Sequence, residues 1–117
     1  MFDALTRWFR KPPPAPAWVE VGQLRQRLAG SAAPLILDVR GPDEFDGPLG
    51  HIADARNIPL PELGAHRAEL SAAGRSVVCV CLTDKRSAAA AAQLSASGLS
   101  GVAVLRGGMK AWREAGQ

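Results

Sequence analysis

The sequence lacks the features that mark secreted or membrane-spanning proteins. It contains only two cysteines, Cys79 and Cys81, and neighbouring extended positions this close seldom meet the geometry of a disulfide. Disulfides therefore do not hold the fold together, and a cytoplasmic location is the expectation. No apolar run approaches the roughly 18 residues that cross a bilayer. The N-terminus also lacks the apolar segment and small-residue cleavage site of a signal peptide.

Charge and motif content exclude further classes of protein. Lys and Arg number 14 and Asp and Glu 11, a formal net charge of +3 with both signs interspersed. Without a basic run carrying interleaved aromatics, we expect no nucleic-acid binding. Two histidines and two cysteines only two positions apart make a metal site improbable, and no G-x-G-x-x-G or Walker pattern points to a nucleotide cofactor. A mild positive field still favours small anionic substrates.

The length and composition are those of one folded domain preceded by a short tail. The 117 residues are 47% hydrophobic, which is enough for a buried core. We divide the chain into a tail with a Pro-rich linker over residues 1–17 and a domain over residues 18–117. Apolar residues of the tail lie on one face of a short helix, namely Phe2, Leu5 and Phe9. Residues 1–11 could touch a membrane surface or a partner, although a helix folded back on the domain, or a frayed one, is favoured.

From Trp18 onward, short apolar strands alternate with helical segments. This alternation predicts an α/β fold, in which a central, mostly parallel five-stranded sheet is flanked by helices on both faces. The predicted strands are Val19–Val21, Leu35–Val39, Asn57–Ile58, Ser76–Cys81 and Val102–Leu105. The clearest predicted helix is the alanine-rich segment Ser87–Ser97, whose small side chains allow close packing on a sheet.

The segment with the clearest chemical signal begins at Cys81, at the carboxyl end of a buried strand. Ligands of open α/β sheets usually bind at that end. A short loop follows Cys81 and turns into a helix that begins near Ser87, so backbone N–H groups and the positive helix end face the thiol. Both stabilise a thiolate, and Lys85 and Arg86 add positive charge. The same groups would hold an oxyanion or an anionic sulfur.

Several motifs together resemble a single rhodanese domain, over roughly Trp18 to Gly116. Besides the cysteine loop they are Asp38-Val39-Arg40, Gly50-His51-Ile52-Ala53-Asp54-Ala55, Asn57-Ile58-Pro59 and Leu105-Arg106-Gly107-Gly108-Met109-Lys110-Ala111-Trp112. The resemblance implies the rhodanese α/β fold and sulfurtransferase activity. It places Cys81 at the persulfide-carrying position. It also implies an active-site loop made of Leu82, Thr83, Asp84, Lys85 and Arg86.

Sulfurtransferase chemistry assigns roles to these residues without any cofactor. The Cys81 thiolate would take the outer sulfur of a small anionic donor such as thiosulfate and pass it to cyanide or to a thiol, with thioredoxin or glutathione as candidate acceptors. Loop amides would stabilise the anionic sulfur. Arg86 would bind the sulfonate end of the donor or steady the loop, and Lys85 would add charge at the mouth. No general base is needed, so His51 is interpreted as structural.

Four neighbouring residues receive supporting interpretations. Asp84 stands where the family often has Gly, and we expect it to cap the following helix. Asp38 is expected to anchor loop backbone by hydrogen bonds rather than to perform acid–base chemistry. Arg40 would reach the mouth of the site or pair with Glu44. Cys79 lies two positions before Cys81 and is expected in the core.

Two other functions stay open at this stage. The spacing from Cys81 to Arg86 is C-x4-R, one residue shorter than the C-x5-R of related phosphatases, which makes phosphatase or arsenate reductase activity the less favoured alternative. A rhodanese-fold module that binds a partner or relays sulfur to one partner, with little turnover, belongs to a different class. The presence of both Cys81 and Arg86 favours the enzyme.

Overall fold

Five short strands form one parallel sheet in the computed structural model, which describes residues 16–117. The strands are Ala17–Val19 (β1), Leu35–Asp38 (β2), Arg56–Asn57 (β3), Val77–Val80 (β4) and Val102–Leu105 (β5). Their order across the sheet is β1-β5-β4-β2-β3, and each neighbouring pair is parallel. The predicted α/β class and the five-stranded parallel sheet are confirmed.

Helices connect the strands, as parallel pairing requires. They are Val21–Ala29 (α1), Pro42–Phe45 (α2), Arg67–Ala73 (α3), Lys85–Ala96 (α4) and Gly108–Glu114 (α5), and a 3₁₀ segment over Leu60–His66 precedes α3. The longest of these described helices has 12 residues, and none has the length and apolar character needed to span a bilayer.

Apolar side chains cover both faces of the sheet. On one face, Cys79 of β4 and Cys81, the residue that follows the strand, pack with Leu70 of α3 and Leu94 of α4. On the other face, strand residues pack with α1 and α5 through Leu24, Met109 and Trp112. All four residues of β4 are buried, as expected for a central strand covered on both sides.

The first strand differs from the prediction. The strand predicted over Val19–Val21 is observed as β1 over Ala17–Val19, and Val21 already belongs to α1. The chain leaves the sheet at Glu20, whose amide donates to the side-chain oxygen of Gln23 at 2.9 Å. This contact satisfies a backbone donor at the start of the helix. The tail interpreted over residues 1–11 lies outside the described residues, and the domain division at residue 17 stays a prediction.

The carboxyl ends of β2 and β4 meet at one edge of the sheet. The two strands pair in register from Leu35 opposite Val77 to Asp38 opposite Val80. The residues that follow each strand, Val39 and Cys81, are therefore close, and Val39 donates to the Val80 carbonyl at 2.9 Å. This edge carries the residues that the sequence predicts to form the site.

Candidate active site

Cys81 is the first residue after β4, and its side chain faces the start of α4. The Ser87 amide donates to Cys81 Sγ at 3.3 Å, and Ser87 Oγ lies 3.2 Å from the same sulfur. Ser87 is in the first turn of α4, where backbone N–H groups lack helical acceptors and the helix dipole is positive. The predicted contact between the thiol and a helix N-terminus is present.

Ser87 also gives the sulfur a hydroxyl contact that depends on protonation. Ser87 Oγ lies 3.2 Å from the Asp84 carbonyl oxygen as well as 3.2 Å from Sγ. A Cys81 thiol can donate to Oγ while the hydroxyl donates to that carbonyl. A thiolate can only accept, so the hydroxyl must then turn its proton toward Sγ. The pair can therefore serve both states of the cysteine.

The loop after Cys81 is held by the start of α5, which comes from the far end of the sequence. The Met109 amide donates to the Cys81 carbonyl at 2.9 Å, and the Lys110 amide donates to the Leu82 carbonyl at 3.0 Å. Peptide bonds in the described chain are all trans, so each N–H points opposite to the carbonyl of its own peptide unit. The amides of Leu82 and Thr83 therefore point away from α5, as an anion-binding loop requires.

Gly108 makes this contact between loop and helix feasible. Its φ is +57°, and a Cβ built on it would lie 2.2 Å from the Thr83 carbonyl oxygen and 2.3 Å from that of Cys81. Real Cβ atoms do not approach backbone oxygens so closely. A side chain at this position would push the loop away from α5 and change the orientation of its amides.

Arg86 does not extend freely into solvent. Its two terminal nitrogens donate to the two carboxylate oxygens of Glu44 at 2.7 and 2.9 Å, a bidentate ion pair. The Arg86 hydrogen bonds are the main reason why the pKa of Glu44 falls from 4.5 to about 2, and the Gly41 amide and the charges of Arg86 and Arg40 add to this effect. The predicted role for Arg86, binding the donor or steadying the loop, is untested, but the guanidinium is already occupied.

A second ion pair lies beneath the first and is fully buried. Arg40, which is 1% exposed, donates to both carboxylate oxygens of Asp38 at 2.7 to 3.2 Å. It also donates to the carbonyls of Glu44 and Gly50. Asp38 accepts the Arg40 amide at 3.1 Å and so anchors the start of the loop that follows β2. Arg40 contacts the backbone of Glu44, and the predicted pairing with the Glu44 carboxylate is wrong because Arg86 holds that group.

The expected side-chain cap by Asp84 is also wrong. Asp84 occupies the N-cap position of α4, and its carbonyl accepts the Ala88 amide at 2.8 Å, but its carboxylate forms no capping hydrogen bond. The Ser87 amide, a donor that an N-cap side chain normally accepts, is taken by Cys81 Sγ. The sulfur therefore occupies the place of the capping group.

The remaining loop residues lie at the surface. Leu82 is 39% exposed, and Thr83 and Lys85 are exposed as well. Cys81 itself is only 1% exposed, so its sulfur is more closely covered than the sequence suggests. A small cavity of about 100 Å³ lies beside this loop, lined by Arg40, Glu44, Pro48, Leu49 and Leu82.

Comparisons with known proteins show the family of this chain. A family described as the rhodanese-like domain matches residues 20–115. The chain belongs to the rhodanese-like domain family. It is 35% identical over 98 residues to a protein named sulfurtransferase from Allochromatium vinosum, covering 84% of this chain and 89% of that protein.

Two further similarities show the same domain within longer proteins. An uncharacterized protein of Synechocystis is 38% identical over 91 residues, which cover 78% of this rhodanese-like chain but only 49% of that protein. The crystal structure of a thiosulfate sulfurtransferase from Pseudomonas aeruginosa superposes with a TM-score of 0.78 at 30% identity, covering 87% of this chain and 19% of the other. The chain thus spans about half the length of the Synechocystis relative.

Two other sequence predictions concern residues of the rhodanese-like domain near the loop. His51 stacks on Phe45 with ring centroids 3.6 Å apart, and its Nδ1 lies 2.9 Å from the Phe45 carbonyl oxygen, a contact that suits a structural role. Cys79 is buried in the core as expected. Burial, and secondarily the neighbouring Cys81, raises the pKa of its thiol to about 12.

The sequence alone gives three residues of the site no role at the thiol. It indicates Ser87 only as the start of a helix, although the position three residues after the N-cap is a signal that can place it beside the thiol. Glu44 and Gly108 contact the loop from 42 and about 25 residues away in the chain. No local pattern places such distant residues together, because the parallel topology brings them to the same sheet edge.

Proposed function

We propose that this protein is a sulfurtransferase that carries sulfane sulfur as a persulfide on Cys81. Thiosulfate or a persulfide is the donor, and cyanide or a thiol is the acceptor, with thioredoxin and glutathione as candidates. The observation that carries the proposal is the Ser87 amide that donates to Cys81 Sγ at the start of α4. A sulfur held in this way is better stabilised as an anion than a cysteine in an apolar core.

The transfer takes place in two displacements. The Cys81 thiolate attacks the outer sulfur of thiosulfate, the new Sγ–S bond forms as the old S–S bond breaks, and sulfite leaves with the electron pair. Cyanide then attacks the terminal sulfur of the persulfide, thiocyanate leaves, and the Cys81 thiolate returns. The two half-reactions predict ping-pong kinetics. Neither step needs a base, since both nucleophiles are anions.

The loop backbone is placed to stabilise the anionic persulfide that forms in the first displacement. The persulfide adds a sulfur atom beyond Sγ, and its negative charge lies on that outer atom. The carbonyls of Cys81 and Leu82 are held by α5, which turns the loop amides to the opposite side. Fixed amide dipoles of this kind stabilise developing charge without reorganisation.

A sulfur relay dedicated to one partner is the second candidate. The observation that favours it is the 1% exposure of Cys81, because a covered sulfur turns over slowly with free donors unless a partner opens the loop. The same persulfide chemistry would serve this role. A phosphatase is not favoured, because the loop is one residue short and Arg86 is already bound to Glu44.

Intact mass spectrometry tests the proposal. After incubation with thiosulfate, the protein should gain the mass of one sulfur atom, and cyanide should remove it. Cys81→Ser should abolish both the mass gain and thiocyanate formation, while Cys79→Ser, the matched control, should retain most activity. Thiocyanate formation by Cys81→Ser at the wild-type rate would contradict the assignment. A mass gain that cyanide removes only slowly would favour the dedicated relay.

A further inference from the structure

Charges around the mouth of the site cancel. Three cations and three carboxylates lie on the loop or in the two ion pairs next to it, namely Arg40, Lys85 and Arg86 against Asp38, Glu44 and Asp84. Four of these groups form two ion pairs, and the bidentate pair between Arg86 and Glu44 lies nearest the surface. A cation already bound to a carboxylate attracts a second anion weakly.

Next to this pair lies an apolar recess. Three of its five lining residues are Pro48, Leu49 and Leu82, and the other two are Arg40 and Glu44, whose charged groups are engaged in the ion pairs. Its volume of about 100 Å³ has room for about three water-sized groups. Arg86, whose partner Glu44 lines the recess, is close enough to Cys81 for the two groups to interact electrostatically. We therefore expect a chain of a few carbon atoms in this recess to end near the sulfur.

We propose that Glu44 is a specificity-determining residue that, by neutralising Arg86, directs the site toward alkyl persulfides and away from thiosulfate. This inference rests on the proposed sulfurtransferase function and names its substrate class. The carbon chain of the persulfide occupies the recess formed by Pro48, Leu49 and Leu82. The free persulfide of a small thiol and a persulfide on a protein cysteine share this chemistry.

The charge on each donor explains the preference. Attack on thiosulfate brings a dianion to a thiolate and releases the sulfite dianion, so three negative charges must share the site. Attack on R–S–SH forms the Sγ–S bond, breaks the donor S–S bond and releases R–S⁻ with the electron pair, while the proton stays on the new Cys81–S–SH. The donor enters uncharged, and the single negative charge of the Cys81 thiolate leaves on R–S⁻. A site in which Glu44 already neutralises Arg86 disfavours the first reaction far more than the second.

Contacts with Arg40 and with the Gly41 amide hold Glu44 in place. Its backbone carbonyl accepts Arg40 Nη1 at 3.1 Å, and its side chain lies within 3.4 Å of the Gly41 amide, so the buried Arg40 fixes α2 under the loop. The carboxylate remains ionised through the neutral range because its pKa is about 2. The neutralisation of Arg86 is therefore constant under assay conditions.

The test compares two donors on Glu44→Gln. We measure the rate of persulfide formation on Cys81 against donor concentration for thiosulfate and for butyl persulfide. Freeing Arg86 should raise kcat/KM for thiosulfate about tenfold, mainly through a lower KM, because the free guanidinium can form one charge-assisted hydrogen bond with the donor. The butyl persulfide value should stay within about twofold, because an alkyl chain gains nothing from a cation. Glu62→Gln, an exposed carboxylate of the 3₁₀ segment, is the matched charge control.

The recess is tested with donors of increasing length. From methyl to butyl persulfide, kcat/KM should rise about two- to fourfold per methylene. Leu82→Ser should flatten this series, and Leu82→Met should retain the slope. A cysteine-persulfide peptide that loads faster than butyl persulfide would indicate a protein donor, and the reverse order a small-molecule donor.

The outcomes separate this inference from the proposed function. If no donor loads Cys81, the sulfurtransferase assignment itself fails. If thiosulfate loads the wild type as well as butyl persulfide does, or if Glu44→Gln slows both donors equally, the specificity role of Glu44 is wrong while the sulfurtransferase stands. An equal gain for thiosulfate in Glu62→Gln would also overturn it, because net charge alone would then explain the change.

Discussion

The two cysteines, one in β4 and one directly after it, have different environments. Cys79 and Cys81 are two positions apart, so their side chains project to the same face of the sheet. Cys79 lies within the core, where burial raises the pKa of its thiol to about 12. Cys81 is the first residue beyond the strand and meets the Ser87 amide at 3.3 Å. A shift of two residues thus separates a packing residue from a candidate nucleophile.

This contrast predicts selective alkylation. At pH 8, iodoacetamide should modify Cys81 and leave Cys79 unmodified, since a thiol with a pKa of about 12 has almost no thiolate at that pH. Peptide mass mapping measures the two sites separately. In urea both cysteines should react at similar rates, which is the control for intrinsic reactivity. Comparable labelling of Cys79 in the folded protein would contradict the described core position.

At the scale of elements, the sequence predicted the parts of the site but not the way they meet. The apolar run before Cys81 and the alanine-rich segment after it predict a strand, a loop and a helix, because these signals are local. The helix begins at Lys85, two residues earlier than predicted. The pairing of Arg86 with Glu44 depends on tertiary topology, whereas the local charge pattern offers Arg40 as the partner of Glu44.

The contact between the loop and α5 yields a prediction on two glycines. Gly108→Ala should destabilise the protein and lower the rate of Cys81 persulfide formation by about tenfold or more, since small displacements of catalytic groups are costly. Gly74→Ala is the matched control, because Gly74 also has a positive φ, +64°, but nothing lies within 4 Å of its would-be Cβ. It should cost about 1 kcal/mol of stability and leave the rate unchanged.

Thiocyanate formation and urea unfolding on both variants separate the two effects. The excess loss of activity in Gly108→Ala then reports the clash with the loop carbonyls, since both substitutions share the cost of a positive φ. If the two variants lose activity equally, the loop does not depend on its close approach to α5.

At the scale of the whole molecule, one buried ion pair connects the sheet to the site. Arg40 is the largest of the fully buried side chains, and it joins Asp38 at the end of β2 to α2 and to the Gly50 carbonyl. Asn57 on the neighbouring strand donates to the carbonyls of Asp38 and Arg40, which ties β3 to the same point. The local sequence indicated an anchoring role for Asp38, but burial of the arginine follows only from the packed fold.

Removal of one charge from this pair should destabilise the entire domain. Arg40→Met leaves the Asp38 carboxylate buried and unpaired, which should lower the free energy of unfolding by about 3–5 kcal/mol. Arg56→Met removes an arginine from the exposed pair with Glu69 and should cost less than about 1 kcal/mol. Urea unfolding curves measure both.

The double variant identifies the cause of that loss. Adding Asp38→Asn to Arg40→Met removes the stranded charge, so the double variant should be more stable than Arg40→Met alone, by about 1–2 kcal/mol. If Asp38→Asn instead lowers the free energy of unfolding further, the loss in Arg40→Met comes from packing volume and not from an unpaired carboxylate. Arg40 also fixes the backbone of Glu44. If the double variant regains stability but not the preference for alkyl persulfide over thiosulfate, Arg40 positions the mouth of the site as well as supporting the fold.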